Sequence, residues 1–141
     1  FADVVLVGAA ILCGTIIGRE RAARHKPAGM RTLTLICLGS TIFTMCSLLM
    51  VSEPNDRSRL AAGIVTGIGF LGAGTIIRQR GTVIGLTTAA TIWVVAAIGI
   101  LVGIGYAAGG IALSIVVLCT LRLHARAERR ARDAEAQQHV P

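Results

Sequence analysis

The sequence predicts an all-α membrane protein, a bundle of five transmembrane helices with its N-terminus outside the cell and its C-terminus in the cytoplasm. Three observations support this prediction: an apolar composition, five long apolar runs, and basic residues clustered between the runs. The 141-residue chain is 54% hydrophobic and 15% charged, with 17 glycines. Soluble domains carry about 25% charged residues. The composition therefore excludes a typical soluble enzyme and a disordered chain.

The net charge of +7 would by itself also fit a nucleic-acid-binding protein. Only one Trp, one Tyr and three Phe are present, so stacking on bases is poorly supported and we expect no nucleic-acid partner. The cysteines lie within apolar runs and lack the C-x-x-C spacing of zinc and redox motifs. We expect them to be free thiols packed among the helices: Cys13, Cys37, Cys46 and Cys119.

The five helices follow from the lengths of the apolar runs, since a bilayer core requires roughly 17–25 mostly apolar residues. The first run is short, and it would reach full length only with the residues at and before its start. The third and fourth runs contain no charged residue, and a tight turn at Gly103–Gly105 separates the fourth from the fifth. The predicted helices are Val4–Ile17, Leu33–Val51, Leu60–Ile77, Leu86–Val102 and Tyr106–Leu121.

The orientation follows from the basic residues in the connections. With the N-terminus outside, the segments 19–31 and 78–85 and the tail face the cytoplasm, and they hold all Lys and Arg residues except Arg57 and Arg59. Short cytoplasmic loops of membrane proteins are enriched in Lys and Arg. Residues 1–121 are thus a predicted transmembrane domain, and residues 122–141 a basic cytoplasmic tail whose first part continues the fifth helix.

Glycines spaced four residues apart predict close helix packing, because helices in lipid associate through small residues. Such pairs are Gly14/Gly18, Gly63/Gly67, Gly99/Gly103 and Gly105/Gly109. The third helix is richest in small residues, which places it at the centre of the bundle; a homodimer face is the alternative. A nucleotide-binding G-x-G-x-x-G loop is excluded because the match lies inside an uncharged helix. The candidate packing residues are Gly63, Gly67, Gly69, Gly72 and Gly74.

No catalytic, metal or cofactor site is expected, and we predict that the protein is not an enzyme. The histidines are far apart in polar segments, and neither H-E-x-x-H nor an acidic cluster occurs. No carboxylate lies at mid-membrane depth in the second to fifth helices, where ion paths usually carry one. A magnesium or other cation transporter or channel subunit nevertheless remains the alternative function.

The cytoplasmic face carries the most distinctive polar residues. They lie on the same side as the positive N-terminal ends of the second and fourth helices, so together they are candidates for binding an anion, a lipid phosphate or an acidic partner. The alternative is that they only snorkel and set the topology; Thr87 and Thr88 are also predicted to cap the fourth helix. On the outer side of the membrane, Asp56 and Arg59 are expected to belong to a loop in which acidic and basic side chains pair and their charges cancel. The cytoplasmic candidates are Arg19, Glu20, Arg21, Arg31, Thr32, Arg78, Arg80, Thr87 and Thr88.

Several long motifs resemble the MgtC/SapB family. The first signature of that family is similar to GRER at 18–21 together with KPAGMRTLTLICLGS at 26–40. The second signature is similar to RLAAGIVTGIGFLGAGTIIR at 59–78, and the third signature is similar to VIGLTTAATIW at 83–93. The motif positions are Glu20, Arg21, Pro27, Gly29, Arg31, Thr32, Gly39, Arg59, Gly67, Gly69, Gly72, Gly74, Gly85, Thr87, Thr88 and Trp93.

The resemblance implies a function that the composition alone does not suggest. It implies a bacterial inner-membrane protein that supports adaptation to low magnesium and, in pathogens, survival inside macrophages. It further implies that the protein restrains the F-type ATP synthase, or limits membrane potential, through protein contact. The expected partners are therefore the lipid bilayer and the F-type ATP synthase or another membrane complex, together with further copies of the chain in a homo-oligomer.

Overall fold

The computed structural model is a helical bundle that also contains a short β-hairpin. It describes the backbone of residues 2–50, 54–79 and 81–138, and the side chains of residues 2–50, 58–78, 81–131, 133 and 134. The elements within these ranges are α1 Ala2–Ala23, α2 Met30–Met50, α3 Pro54–Gly74, β1 Ile77–Gln79, β2 Thr82–Ile84, α4 Leu86–Gly103 and α5 Ala107–Gln138.

The prediction of five helices is confirmed, whereas their number of membrane crossings stays a prediction, and the polar ends of the helices differ from those predicted. α1 continues past Ile17 to Ala23 and reaches 22 residues. α3 begins at Pro54, inside the segment predicted as a loop. Proline is favoured at the first helical position because its missing N–H would have no partner there. α5 continues to Gln138, which confirms that the start of the tail extends the fifth helix.

The connection before α4, predicted only as a basic segment between two helices, is an antiparallel hairpin. Ile77 pairs with Ile84, and Gln79 pairs with Thr82. β-Branched residues favour extended backbone, and Gly81 in the two-residue loop has φ 85°, which glycine adopts without steric penalty. The predicted end of the third helix at Ile77 is therefore wrong, because α3 stops at Gly74 and Ile77 is already the first residue of β1.

The hydrophobic core lies between α1, α2 and α4. Cys13, Leu33 and Val95 are among its fully buried residues. α4 is the central helix, with 50% of its residues buried. The prediction that the third helix is central is wrong, since Gly72 is the sole buried residue among the described side chains of α3. Many glycines permit close approach, but they do not specify which neighbour a helix meets.

Small residues do bring helices together in the core. A Cβ atom added at Gly14 of α1 would lie 2.5 Å from the Cα atom of Thr34 in α2. Close approach of α2 and α4 lets the Thr41 hydroxyl donate a hydrogen bond to the Gly99 carbonyl oxygen at 2.9 Å. The predicted close contacts are thus confirmed for Gly14/Gly18 and Gly99/Gly103.

The outer surface of the bundle is apolar. Phe70 is 81% exposed, Leu35 is 67% exposed and Trp93 is 53% exposed. Soluble proteins rarely expose so many large apolar side chains together. Four helices are long and apolar enough to cross a bilayer, namely α1, α2, α4 and α5, and Ser58–Gly74 of α3 is a shorter apolar helix. These features are those of a membrane protein.

The four cysteines are free. Cys13 and Cys37 are buried among the helices as predicted. The prediction that all four are packed is wrong for Cys46 and Cys119, which are exposed. Both lie on faces of α2 and α5 that no other described helix covers.

Candidate functional site

The three basic segments of the chain meet at one end of the bundle. Arg21, near the end of α1, donates a hydrogen bond from Nη2 to the Thr88 hydroxyl oxygen at 2.8 Å. Thr88 lies in the first turn of α4, directly after the hairpin. Arg19 and Arg24 border a cavity whose other wall includes Arg126 of α5. We call this end of the bundle the basic end.

The hydrogen bond between Arg21 and Thr88 is buried. The two residues are 3% and 2% exposed. Burying a charged group costs free energy unless polar partners satisfy it. Thr88 supplies one such partner, while Nε of Arg21 has no hydrogen-bond partner in the described part of the chain. The contact therefore fixes the end of α1 to the start of α4.

The prediction that Thr87 and Thr88 cap α4 is wrong. The N-cap residue is Gly85, with φ 93°, and no side chain donates or accepts a capping hydrogen bond there. The Thr88 hydroxyl is directed to Arg21 instead. Thr87 has an exposed side chain, and its carbonyl oxygen accepts a hydrogen bond from the Thr91 hydroxyl.

Glu20, in the last turn of α1, forms an ion pair with Arg24, the residue that follows the helix. The Glu20 side chain is 4% exposed and that of Arg24 is 23% exposed. Oε1 of Glu20 accepts from Nε of Arg24, whereas Oε2 is buried and has no partner among the described residues. A nearly buried carboxylate thus lies in the wall of the cavity at the basic end.

We call that space the basic cavity; it has a volume of about 430 Å³. One wall is the end of α1, and the other is the part of α5 that follows Leu121. Four of its residues were not among the predicted site residues, although three of them recur at i, i+4 and i+7, the spacing of one helical face. The missed residues are Arg24, Arg122, Arg126 and Arg129.

A second, larger space lies between α2 and α3, and we call it the α2–α3 groove. Its volume is about 1160 Å³. Apolar side chains such as Leu35, Phe43 and Leu71 line most of it. Arg31 lies toward the basic end and Arg59 toward the opposite end. The groove exists because α3 packs mainly on α4 and only lightly on α2.

The predicted cytoplasmic candidates do not form one site. Arg19 and Glu20 line the basic cavity, whereas Arg31 and Thr32 line the groove. Arg21 and Thr88 are engaged with each other. Two of the remaining candidates have exposed side chains, Arg78 on β1 and Thr87 on α4. The last one, Arg80, lies outside the described residues.

The glycines predicted for packing in α3 are mostly open. Gly63 and Gly67 line the groove, and a Cβ atom added to either would meet no atom within 4 Å. The same holds for Gly69 and Gly74. Gly72 alone of the five faces another helix, and a Cβ atom added to it would lie 3.7 Å from the Ala89 Cβ atom. Contact of these glycines with another chain stays a prediction.

The predicted outer network also stays a prediction. Asp56 lies in the first turn of α3, and its side chain lies outside the described ones. Arg59 lies in the next turn of α3 and lines the groove. Among the described residues, no group of three His, Cys, Asp or Glu side chains is arranged to hold a metal ion.

Comparison with known proteins identifies the family. The profile described as the MgtC family matches residues 7–130. "Protein MgtC" of Salmonella typhimurium strain LT2 is 45% identical over 122 residues, covering 86% of this chain and 52% of that protein. "Putative magnesium transporter YhiD" of Escherichia coli K12 is 46% identical over 125 residues, covering 84% of this chain and 58% of that protein.

A further relative is "Protein MgtC" of Brucella abortus, 51% identical over 96 residues, which cover 68% of this chain and 40% of that protein. The chain therefore spans about half the length of the curated relatives it matches. No match to a solved structure was found. The extent and identity of the sequence matches show that the chain belongs to the MgtC family.

Proposed function

We propose that this protein is a non-enzymatic regulator in the bacterial inner membrane, which acts by binding a transmembrane helix of a partner complex. Its biological role would be adaptation to low magnesium and, in pathogens, survival inside host cells. The family resemblance points to the F-type ATP synthase as the partner complex. Contact with that complex would restrain ATP synthesis or limit the membrane potential.

The observation that carries this proposal is the α2–α3 groove. It is open at the side of the bundle and lined mainly by apolar residues, including Leu35, Phe43 and Leu71. Its volume of about 1160 Å³ exceeds the usual range of small-ligand pockets, roughly 300–1,000 Å³. The size and apolar lining favour a long apolar occupant over a small polar substrate.

The surface of α3 favours a helix as this occupant. Gly63 and Gly67 lie one turn apart along the groove and face open space. Helices in lipid associate where small residues let two backbones approach closely, since burial of apolar surface gives no advantage over contact with lipid. A partner helix would find such a surface on α3, whereas the equivalent surfaces of α1 and α4 are already used inside the bundle.

The orientation belongs to the same proposal. The basic end would face the cytoplasm, because short cytoplasmic segments carry the excess of Lys and Arg. The N-terminus would then lie outside and the extension of α5 inside. Arg31 at the basic end of the groove would meet an acidic residue, or a helix C-terminus, on the cytoplasmic side of the partner.

Affinity purification with a groove variant tests the proposal. The tagged chain is expressed at low magnesium, extracted in a mild detergent, and analysed by quantitative mass spectrometry. We expect ATP synthase subunits in the wild-type eluate. Gly67→Leu fills the groove, and it should lower their recovery by about tenfold, the equivalent of 1.4 kcal/mol.

Gly8→Leu is the matched control for this experiment, because Gly8 is also exposed in a helix and has no atom within 4 Å of a built Cβ. It should leave the recovery unchanged. Equal recovery with Gly67→Leu and Gly8→Leu would argue against the groove as the docking site. If crosslinking joins copies of this chain and no other protein, the occupant of the groove would be a second copy in a homo-oligomer, and not a helix of another complex.

Cation transport is the second candidate, and the name of the Escherichia coli relative favours it. The purified chain would then move magnesium or protons across liposome membranes. No Asp, Glu, Lys or Arg lies within residues 33–50, 60–77 or 86–121, and ionisable residues at membrane depth usually mark ion paths. Regulation is therefore the preferred proposal. Measurable cation flux in liposomes would make transport the preferred function instead.

A further inference from the structure

We propose that the basic cavity binds a phosphate group. Anionic phospholipid head groups and soluble polyphosphates share this chemistry. The site lies between the end of α1 and the cytoplasmic extension of α5, away from the α2–α3 groove, so it is independent of the proposed partner docking.

The charge of the cavity is the first argument. Five arginines and one glutamate line it. Glu20 is paired with Arg24. The other four arginines have no carboxylate partner in the described part of the chain. Like charges held around one small space repel each other, and an anion in that space would neutralise them.

The type of side chain is the second argument. A guanidinium group presents its N–H donors as a planar fork that matches the oxygens of a phosphate. Arg19 comes from one wall, and Arg122 and Arg126 come from the other. Donors from two helices can therefore converge on one group. The volume of about 430 Å³ lies within the usual range of ligand pockets.

The depth of the cavity is the third argument. Arg122 is the first charged residue after the uncharged stretch 86–121, and Arg19 is the first after the uncharged stretch 4–18. Both helices thus leave the apolar layer at this level, where the head groups of a bilayer lie. Basic pockets between membrane helices at this level are typical binding sites for anionic lipid head groups.

The test compares two phosphate sources on the purified full chain. Phosphatidylglycerol and, as its neutral counterpart, phosphatidylcholine with the same acyl chains are added in detergent, and binding is measured by native mass spectrometry. Inorganic pyrophosphate is titrated by calorimetry. Arg126→Gln and Arg19→Gln remove one guanidinium from each wall. Each should weaken binding by about tenfold, as expected for the loss of a charge-assisted hydrogen bond.

Arg130→Gln is the control, because it removes the same charge from α5 but does not line the cavity. It should leave the affinity within about twofold, since Arg130 acts on the cavity only as a more distant charge that salt screens. Losses confined to phosphatidylglycerol assign the site to a lipid, and losses confined to pyrophosphate assign it to a soluble phosphate. Equal effects of all three variants, or no binding by the wild type, would overturn the proposal. Circular dichroism of each variant verifies that it folds.

Discussion

At the scale of single residues, the basic end combines buried charge with incomplete hydrogen bonding. Arg21 is 3% exposed and Glu20 is 6% exposed, yet each has a polar atom without a partner among the described residues. An arginine in this position is tolerated because Thr88 accepts one of its hydrogen bonds. Loss of that acceptor would leave a buried cation still less satisfied.

We therefore predict that Thr88→Val destabilises the bundle by about 1–3 kcal/mol, the cost of leaving a buried charged donor unpaired. Valine has nearly the same shape as threonine, so packing changes little. The measurement is the free energy of unfolding during titration of the detergent-solubilised protein with sodium dodecyl sulfate. Thr87→Val is the control, since the Thr87 side chain is exposed. Equal stability of the two variants would contradict the prediction.

At the scale of helices, the glycines fall into two groups with different neighbours. The first group lies against the backbone or side chains of α2, and it consists of Gly14 and Gly18 of α1 and Gly99 and Gly103 of α4. The second group is formed by most of the glycines of α3, which face open space. A methyl group added to the first group must displace a neighbouring helix. A methyl group added to the second group meets nothing, and it lowers the conformational freedom of the unfolded chain.

Alanine substitutions in the two groups should therefore have opposite effects on stability. Gly14→Ala would place its Cβ atom 2.5 Å from the Thr34 Cα atom, and we expect a loss of about 1–3 kcal/mol from overpacking. Gly63→Ala should be neutral or stabilising by up to about 1 kcal/mol, the helix-propensity difference between Gly and Ala. The same unfolding titration measures both. A destabilising Gly63→Ala would show that α3 packs more tightly than the structure indicates.

The helices were predictable from the sequence, but their neighbours were not. Apolar runs determine which residues enter a bilayer, so all five helices were predicted. The central position of α4 depends on which residues of two helices meet, and a single sequence does not contain that information. The basic cavity was missed for the same reason. Arg126 lies close to Arg19 because α1 and α5 are adjacent, although they are far apart in the chain.

At the scale of the whole molecule, the charge distribution is one-sided. The end of α1, the start of α4 and the extension of α5 meet at the basic end, as the contacts of Arg21 and the basic cavity show. α2 ends and α3 begins at the opposite end. Any partner or phosphate that binds at the basic end must therefore be present on whichever side of the membrane that end faces.

The last prediction is that the basic end faces the cytoplasm. Green fluorescent protein folds to its fluorescent form in the cytoplasm, whereas alkaline phosphatase becomes active only after export. A fusion after the last residue should therefore be fluorescent with the first reporter and inactive with the second. Fusions after residue 52, between α2 and α3 in the sequence, should show the reverse, because the two sites are separated by three helices. An active phosphatase at the C-terminus would place the arginines of the basic cavity outside, away from cytoplasmic polyphosphates and from the ATP-forming part of the proposed partner.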